Sequence, residues 1–286
     1  MTTPRPMAEP LRILSFGAGV QSSYVARMSI IGDIPPFDHV IFADTGDEPE
    51  AVYENVAWWA NRFRDEAVQF HTVGRASSIA ADLRLVVSGD ITSAKNPPLY
   101  VINTDGSHGM VRRKCTSDHK VAPIQAKLKQ ILGFAGKRHN HITDTLAVQT
   151  FGISWDETQR MRDPIYAWLR HDYPLVDRRI TRADCIAEMA AQDEFPEPVR
   201  SACWHCPFHS DDEWRYLRDN DPESFAKAVA LDADIRTGKS LTGAGLRGTP
   251  FLHRSRRPLS EVDFDNEEDR GQLNLFEQEC EGMCGL

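Results

Sequence analysis

A parallel α/β sheet is the fold class this sequence predicts, and two observations carry it. Short apolar runs, 11–16 and 39–43, and an alternating run, 68–73, are interleaved with segments of helical spacing. The first two runs each end in a polar, glycine-containing turn, Ser15 to Ser23 and then Asp44-Thr45-Gly46-Asp47-Glu48-Pro49. A strand-helix-strand-helix-strand order of this kind implies a twisted parallel sheet with right-handed crossovers. Two strand-to-helix turns at neighbouring strand ends form a place for an anionic ligand.

Leu11 to Phe16 is compact and apolar, the pattern of a strand buried on both faces. Ser22 to Ile31 follows as a helix, then His39 to Ala43 as a second buried strand. Glu50 to Phe63 is a helix whose Val52, Val56, Trp59, Ala60 and Phe63 share a face, and Trp58 and Trp59 belong to the core. Val68 to Val73 alternates as a third strand. Residues 88–113 form a long loop, a candidate lid, with a small hairpin of Pro98-Leu99-Tyr100-Val101-Ile102 followed by Thr104-Asp105-Gly106. Lys120 to Leu132 is a helix with Pro123 in its first turn. Leu146 to Phe151 is a further strand ended by Gly152, and Asp156 to Met161 begins or caps the next helix. Cys185 lies on an amphipathic helix as a core residue, and 211–217 and 222–235 are helical. The expected organisation is a short N-terminal stretch over 1–10, a nucleotide-binding core over 11–210, and C-terminal helices with a cysteine-containing tail over 211–286.

The chain has 286 residues, 41% of them hydrophobic and 26% charged, with a net charge of −9. Such an acidic balance argues against a strongly basic nucleic-acid binder as a global description. No run of 18 apolar residues is present and Met1 to Pro10 has no signal-like apolar core, so the expectation is a cytoplasmic protein without a membrane partner. Arg112-Arg113-Lys114 is a local basic cluster beside Cys115, readable as solvated surface or as a phosphate clamp.

In the first turn, Gly17 and Gly19 permit backbone angles and close approach, and Ser22 and Ser23 stand where N–H groups and hydroxyls can meet phosphate oxygens. No Gly-Lys-Ser/Thr follows, and Ser22 stands where a dinucleotide fingerprint has its third glycine. Asp44 ends its strand where ligands bind in open sheets, while Thr45 or Asp47 also suit a helix cap. This acidic loop is a candidate for Mg²⁺ bound to phosphates.

Gly17-Ala18-Gly19-Val20-Gln21-Ser22 resembles a variant of the PP-loop, usually Ser-Gly-Gly-x-Asp-Ser. Asp44-Thr45-Gly46 is similar to a segment of phosphoadenosine phosphosulfate reductases, as are Arg113-Lys114-Cys115-Thr116 with Lys120 and Pro123, Gly152-Ile153 with Glu157 and Arg160, and Tyr173-Pro174-Leu175. The resemblance spans roughly residues 11–210 in the family's order. It implies an adenine nucleotide alpha-hydrolase-like three-layer sandwich with a mainly parallel sheet. It also implies an adenine nucleotide such as ATP, held by Ser15, Gly17, Ala18, Gly19, Gln21, Ser22, Ser23, Asp44, Thr45, Gly46, Arg113, Lys120, Gly152, Ile153 and Arg160. The chain departs from the pattern at Gly17, in place of serine, and at Gln21, a neutral residue in place of aspartate.

Six cysteines are present. Cys203-Trp204-His205-Cys206 has the spacing of a metal or redox pair. With Cys115, which the family fold brings to the same pocket, the thiols suit a [4Fe–4S] cluster with one open position. Zinc held by Cys203, Cys206, His205 and His209, and thiol redox chemistry, are the alternatives. In the tail, Cys280 and Cys284 are candidate nucleophile and resolving thiol, or a fourth cluster ligand, and resemble the family's terminal Glu-Cys-Gly. His253 is a lone histidine, structural or facing a pocket.

Three functions follow. The first is ATP-dependent, pyrophosphate-releasing sulfur transfer, with a sulfur donor protein and a nucleic-acid acceptor as partners. The second is a sulfonucleotide reductase with a thiol reductant, and the third a non-catalytic nucleotide- or cluster-binding subunit. A homodimer is compatible with all three.

Overall fold

The computed structural model describes residues 9–91, 97–139, 141–197, 199–237 and 248–265. They form two compact units interleaved along the chain, one of residues up to 44 with 50–74 and 121–201, the other of 45–49, 75–120 and 202 onward.

The first unit is an α/β three-layer fold on a five-stranded, wholly parallel sheet. Its strands are β1 (Leu11–Phe16), β2 (His39–Asp44), β3 (Gln69–Gly74), β6 (Ala147–Phe151) and β7 (Leu169–Asp172), in the order β3-β2-β1-β6-β7. β1 is buried on both faces, which is why it reads as one apolar run. Leu14 and Phe16 pack with Val40 and Phe42 against α1 (Val20–Ile30), α2 (Glu50–Asp65) and α6 (Arg182–Ala190). Trp59 is fully buried in that layer and Cys185 lies in it as expected. Ile13 and Ile41, one residue out of phase, face the other layer with Leu128 of α4 (Ala122–Ile131) and Trp168.

The second unit carries α3 (Ile79–Ser88), the antiparallel strands β4 (Tyr100–Ile102), β5 (His108–Met110) and β8 (Thr249–Phe251) in the order β5-β4-β8, and α7 (Asp211–Asn220) and α8 (Pro222–Thr237). Its core gathers Leu83, Leu99, Trp214, Leu231 and Leu252. A buried carboxylate ties it together. Asp232 on α8 accepts the Leu252 N–H at 2.9 Å and the Leu259 N–H at 2.8 Å, and also bonds Arg236. His253 is buried and bonded to Asp211 at 3.0 Å and Ser255 at 2.7 Å, the structural of its two readings.

Several elements depart from expectation. The expected hairpin forms as β4 and β5, yet the 88–113 stretch is entered through the helix α3, capped by Ser78 and ended by Gly89 in the left-handed region. The helix placed at Lys120 begins earlier, as a π-helical turn over Thr116–Val121 that runs into α4, with Pro123 in the first turn of α4. Asp156 to Met161 does not open a long helix. It is a short 3-10 segment, Trp155–Arg160, followed by extended chain and α5 (Pro174–Asp177). Among the described residues, no helix is long and apolar enough to cross a membrane.

On the sheet face covered by α4, His39 and His71 meet ring to ring, nitrogen to nitrogen at 3.1 Å. Burial, then the Lys127 ammonium, then His39 pull His71 down to about 4 from its ordinary 6.5. The folded chain therefore takes up this proton only below about pH 4, while the unfolded chain takes it up near 6.5. Between those values the unfolded state binds more protons, so stability rises with pH through the window and is complete above it. Urea unfolding at a series of pH values should show a gain on the order of 1 kcal/mol after discounting for solvent screening, and His71→Gln should flatten it.

Candidate functional site

The sheet order places a reversal of winding between β1 and β6. The chain steps outward from β1 to β2 and β3, then resumes on the other side with β6 and β7. Ligands of open α/β sheets bind at the carboxyl ends of the strands flanking such a switch point. Those ends are Ser15 to Ser23 after β1 and Gly152-Ile153 after β6.

Gly152 is the residue the geometry demands. A Cβ there would fall 2.6 Å from the Ser22 nitrogen and 2.7 Å from its Cα, so the two segments touch backbone to backbone. Gly17 and Gly19 behave differently from expectation. Neither has a left-handed φ, and a Cβ would come no nearer than 3.6 Å at Gly17 and 3.5 Å at Gly19 to any atom of the described residues. The left-handed residue is Ala18, at φ 57°. Its carbonyl accepts a bond from Asn55 Nδ2 of α2 at 3.0 Å, which pins the turn. A side chain on Gly17 would meet the Ser22 hydroxyl, and one on Gly19 would meet Ser201 and the Val199 carbonyl, at ordinary contact distances.

Gly19 caps α1 without a side-chain bond, and the first turn of α1 carries no acidic residue. The positive end of the helix is left for a ligand anion. Ser22 Oγ donates to the Gly19 carbonyl at 3.0 Å, whereas the fully buried Ser23 Oγ has no partner among the described residues. Ser15 Oγ accepts from Gln149 Nε2 at 2.6 Å, locking β1 to β6. Asp44 accepts from Tyr53 OH at 2.9 Å, and Ile153 is buried. Gln21 reaches Glu157, a carboxylate that also holds Arg160. Glu157 stood in the family-like segment, but its pairing with Gln21, 136 positions away, was not disclosed by the sequence.

The second unit holds Cys115, Cys203 and Cys206. Asp47, expected as a cap for α2, instead accepts the Ala80 N–H in the first turn of α3 at 2.8 Å. The same carboxylate bonds His205 Nε2 at 3.0 Å, and the Asp47 carbonyl accepts the Trp204 N–H at 2.9 Å. Cys203-Trp204-His205-Cys206 is thereby clamped as a turn, with the Cys206 N–H on the Cys203 carbonyl at 2.9 Å. Burial pushes the Asp47 carboxyl up, but His205 and the donors of α3 outweigh it and hold it below the usual range. His209 Nε2 is bonded to the Cys203 carbonyl at 3.0 Å. The Nε2 atoms of His205 and His209 are both engaged inside the protein, and through them the two histidines brace the turn. Gly46 has φ 75° and lies where a Cβ would be 2.7 Å from Ser78 Cβ.

Beside the turn, Lys120 Nζ donates to Glu48 at 3.2 Å, and Thr45 Oγ1 lies 3.4 Å from Glu48 and 3.3 Å from Cys203 Sγ. Burial works against the Lys120 charge, but Glu48 and the Cys203 sulfur keep its pKa raised. Burial, then Glu48, push the Cys203 thiol well above its usual value against the pull of Lys120 and Thr45. Cys115 and Cys203 pack against the same apolar core. Arg113 donates to Thr116 at 2.8 Å and lies over the Phe208 ring. Among the described residues no three His, Cys, Asp or Glu side chains already stand together as a metal site. Cys280 and Cys284 lie outside the described residues.

No family model and no curated protein matches the chain. Among solved structures it is similar to the U34-tRNA thiolase NcsA from Methanococcus maripaludis with its [4Fe–4S] cluster, at 9% identity over 79% of this chain and 71% of that one, with a TM-score of 0.37. At that identity and TM-score the likeness assigns no chemistry to this chain.

Three substitutions at two positions test the geometry. Gly152→Ala should cost about 3 kcal/mol, because backbone rather than a flexible side chain must give way. Asp47→Ala should cost about 2–4 kcal/mol by stranding a buried imidazole and an N–H, with Asp47→Asn, which still accepts from Ala80, costing less. Chemical denaturation of the three variants measures both.

Proposed function

We propose that this chain is a PP-loop-type enzyme that binds an adenine nucleotide, activates an acceptor with it, and transfers sulfur. The observation that carries the reading is the turn at the β1/β6 switch point. It pairs an uncapped helix N-terminus with a turn free of side chains at Gly17 and Gly19 and an orphaned, buried Ser23 hydroxyl. Those features suit phosphate oxygens.

In the reaction proposed, an acceptor oxygen attacks the α-phosphorus of ATP, the bond to the β-phosphate oxygen breaks, and pyrophosphate leaves. The N–H groups that open α1 stabilise the charge that develops on the phosphate oxygens. A sulfur nucleophile then forms a bond to the activated carbon, and AMP leaves with the acceptor oxygen. Cys115, Cys203 and Cys206 are soft donors of the kind an iron–sulfur cluster takes. When bound, such a cluster supplies an iron position for sulfide. Thr45, Lys120 and Glu48 set the charge around Cys203. A nucleic-acid base is the acceptor this chemistry suits best, with a sulfur donor protein or a thiol as the source. Asp44 and Ile153 complete the nucleotide side of the proposal.

The test is anaerobic purification with iron, zinc and sulfide analysis, followed by incubation with ATP and candidate RNA acceptors. About four irons per chain and acceptor-dependent pyrophosphate release are expected. Cys203→Ser should lose the iron while ATP binding persists. Zinc without iron removes the cluster from the proposal. Tight nucleotide binding without pyrophosphate release under every condition makes the chain a binding subunit.

A further inference from the structure

The mouth of the β1/α1 turn contains a contact that nucleotide binding alone does not explain. Gln21, in the first turn of α1, donates through Nε2 to Glu157 Oε2 at 3.2 Å. Arg160 Nη1 donates to the same oxygen at 2.5 Å. Glu157 and Arg160 sit three residues apart on the 3-10 segment, where side chains at that spacing eclipse. The backbone leaves helical angles at Glu157 itself, with φ −117° and ψ 21°. The backbone contact between Gly152 and Ser22 brings this segment against α1.

One carboxylate oxygen thus occupies two donors, an amide and a guanidinium, beside a helix terminus suited to an anion. A carboxylate and a phosphoryl group both accept hydrogen bonds from amide and guanidinium donors. We propose that Glu157 is an internal stand-in for the ligand's phosphate. It holds Gln21 and Arg160 in reserve, and a nucleotide phosphoryl group takes them from it. The inference rests on the nucleotide reading above and deepens it. Recognition of the phosphates would then rely on Gln21 and Arg160 and proceed without a divalent cation, because the loop position that would offer a metal a carboxylate is an amide.

The strength of the contact permits the exchange. The Arg160 side chain is 42% exposed and that of Glu157 is 20% exposed. An ion pair this open holds by no more than about fivefold, so a phosphate bearing more charge displaces it. Once released, Glu157 remains a negative charge near the bound anion and opposes it. Glu157 is therefore a positioning residue that lowers affinity, a sign opposite to that of a supporting side chain.

The experiment is calorimetric titration of the full chain with ATP, in excess EDTA and again with Mg²⁺, for the wild type, E157Q, E157A and R160A. The wild type should bind in EDTA. E157Q and E157A should bind about three- to tenfold tighter in EDTA, and R160A about tenfold weaker. Thermal unfolding midpoints identify any variant that has lost its fold, and the two substitutions at 157 allow one to stand for the other. Weaker or unchanged binding by the folded Glu157 variants overturns the proposal, since the carboxylate would then only support Arg160. Binding that requires Mg²⁺ and is lost in E157Q overturns it in favour of a metal-bound carboxylate. No ATP binding by any of the proteins in either condition removes the nucleotide reading and this inference with it.

Discussion

The first unit depends on a contact that contains no side chain. At the reversal between β1 and β6, Gly152 rests on the backbone of Ser22, closer than any Cβ could allow. The reversal separates the loops that follow neighbouring strands and so opens a crevice. The Gly152 contact then sets its floor, because it fixes the start of α1 against the end of β6. Asn55 of α2 on the Ala18 carbonyl and Gln149 of β6 on Ser15 secure the same turn from two further sides. The helix terminus is thereby held rigidly while its donors remain uncapped. Such an arrangement costs folding free energy unless an anion completes it.

The second unit solves a related problem with a charge. Asp47 is almost fully buried, and its oxygens serve the first turn of α3 and His205 together. A buried carboxylate is tolerable only when it is fully bonded. Its bonds make the four residues from Cys203 to Cys206 a fixed platform rather than a loose loop. The histidines between and after the cysteines therefore act on the backbone and on Asp47.

Much of this was legible in the sequence, and the remainder was not for physical reasons. β1, β2 and β6 are apolar because they are buried, β3 shows as an alternation of half-buried and exposed positions at the sheet edge, and α2 displays its face in Val52, Val56, Trp59 and Phe63. β7 was silent because an edge strand of Leu169-Arg170-His171-Asp172 has no apolar run. α3 did carry signals, a Ser78 cap and a Gly89 stop, but they adjoin a stretch rich in glycine and proline. The loop glycines play a different part from the one their spacing suggests, since the left-handed angle falls to Ala18 and the close approach to Gly152. The partnerships of Asp47 with His205 and of Gln21 with Glu157 join residues 158 and 136 positions apart, which no local pattern encodes.

Charge balance around the thiols constrains their chemistry. Glu48 and Lys120 neutralise each other, so their pair brings no surplus positive charge to Cys203. Burial and Glu48 keep that sulfur protonated, and Cys206 is a second sulfur beside the same ammonium. Turning both into thiolates would place two negative charges against one shared cation, a cost that burial magnifies. An activated nucleophile needs a depressed pKa, which this setting does not provide. A cationic centre bound to the sulfurs would provide the missing charge directly, since thiol ligands lose their protons on coordination. The electrostatics of the turn therefore disfavour thiols that attack on their own.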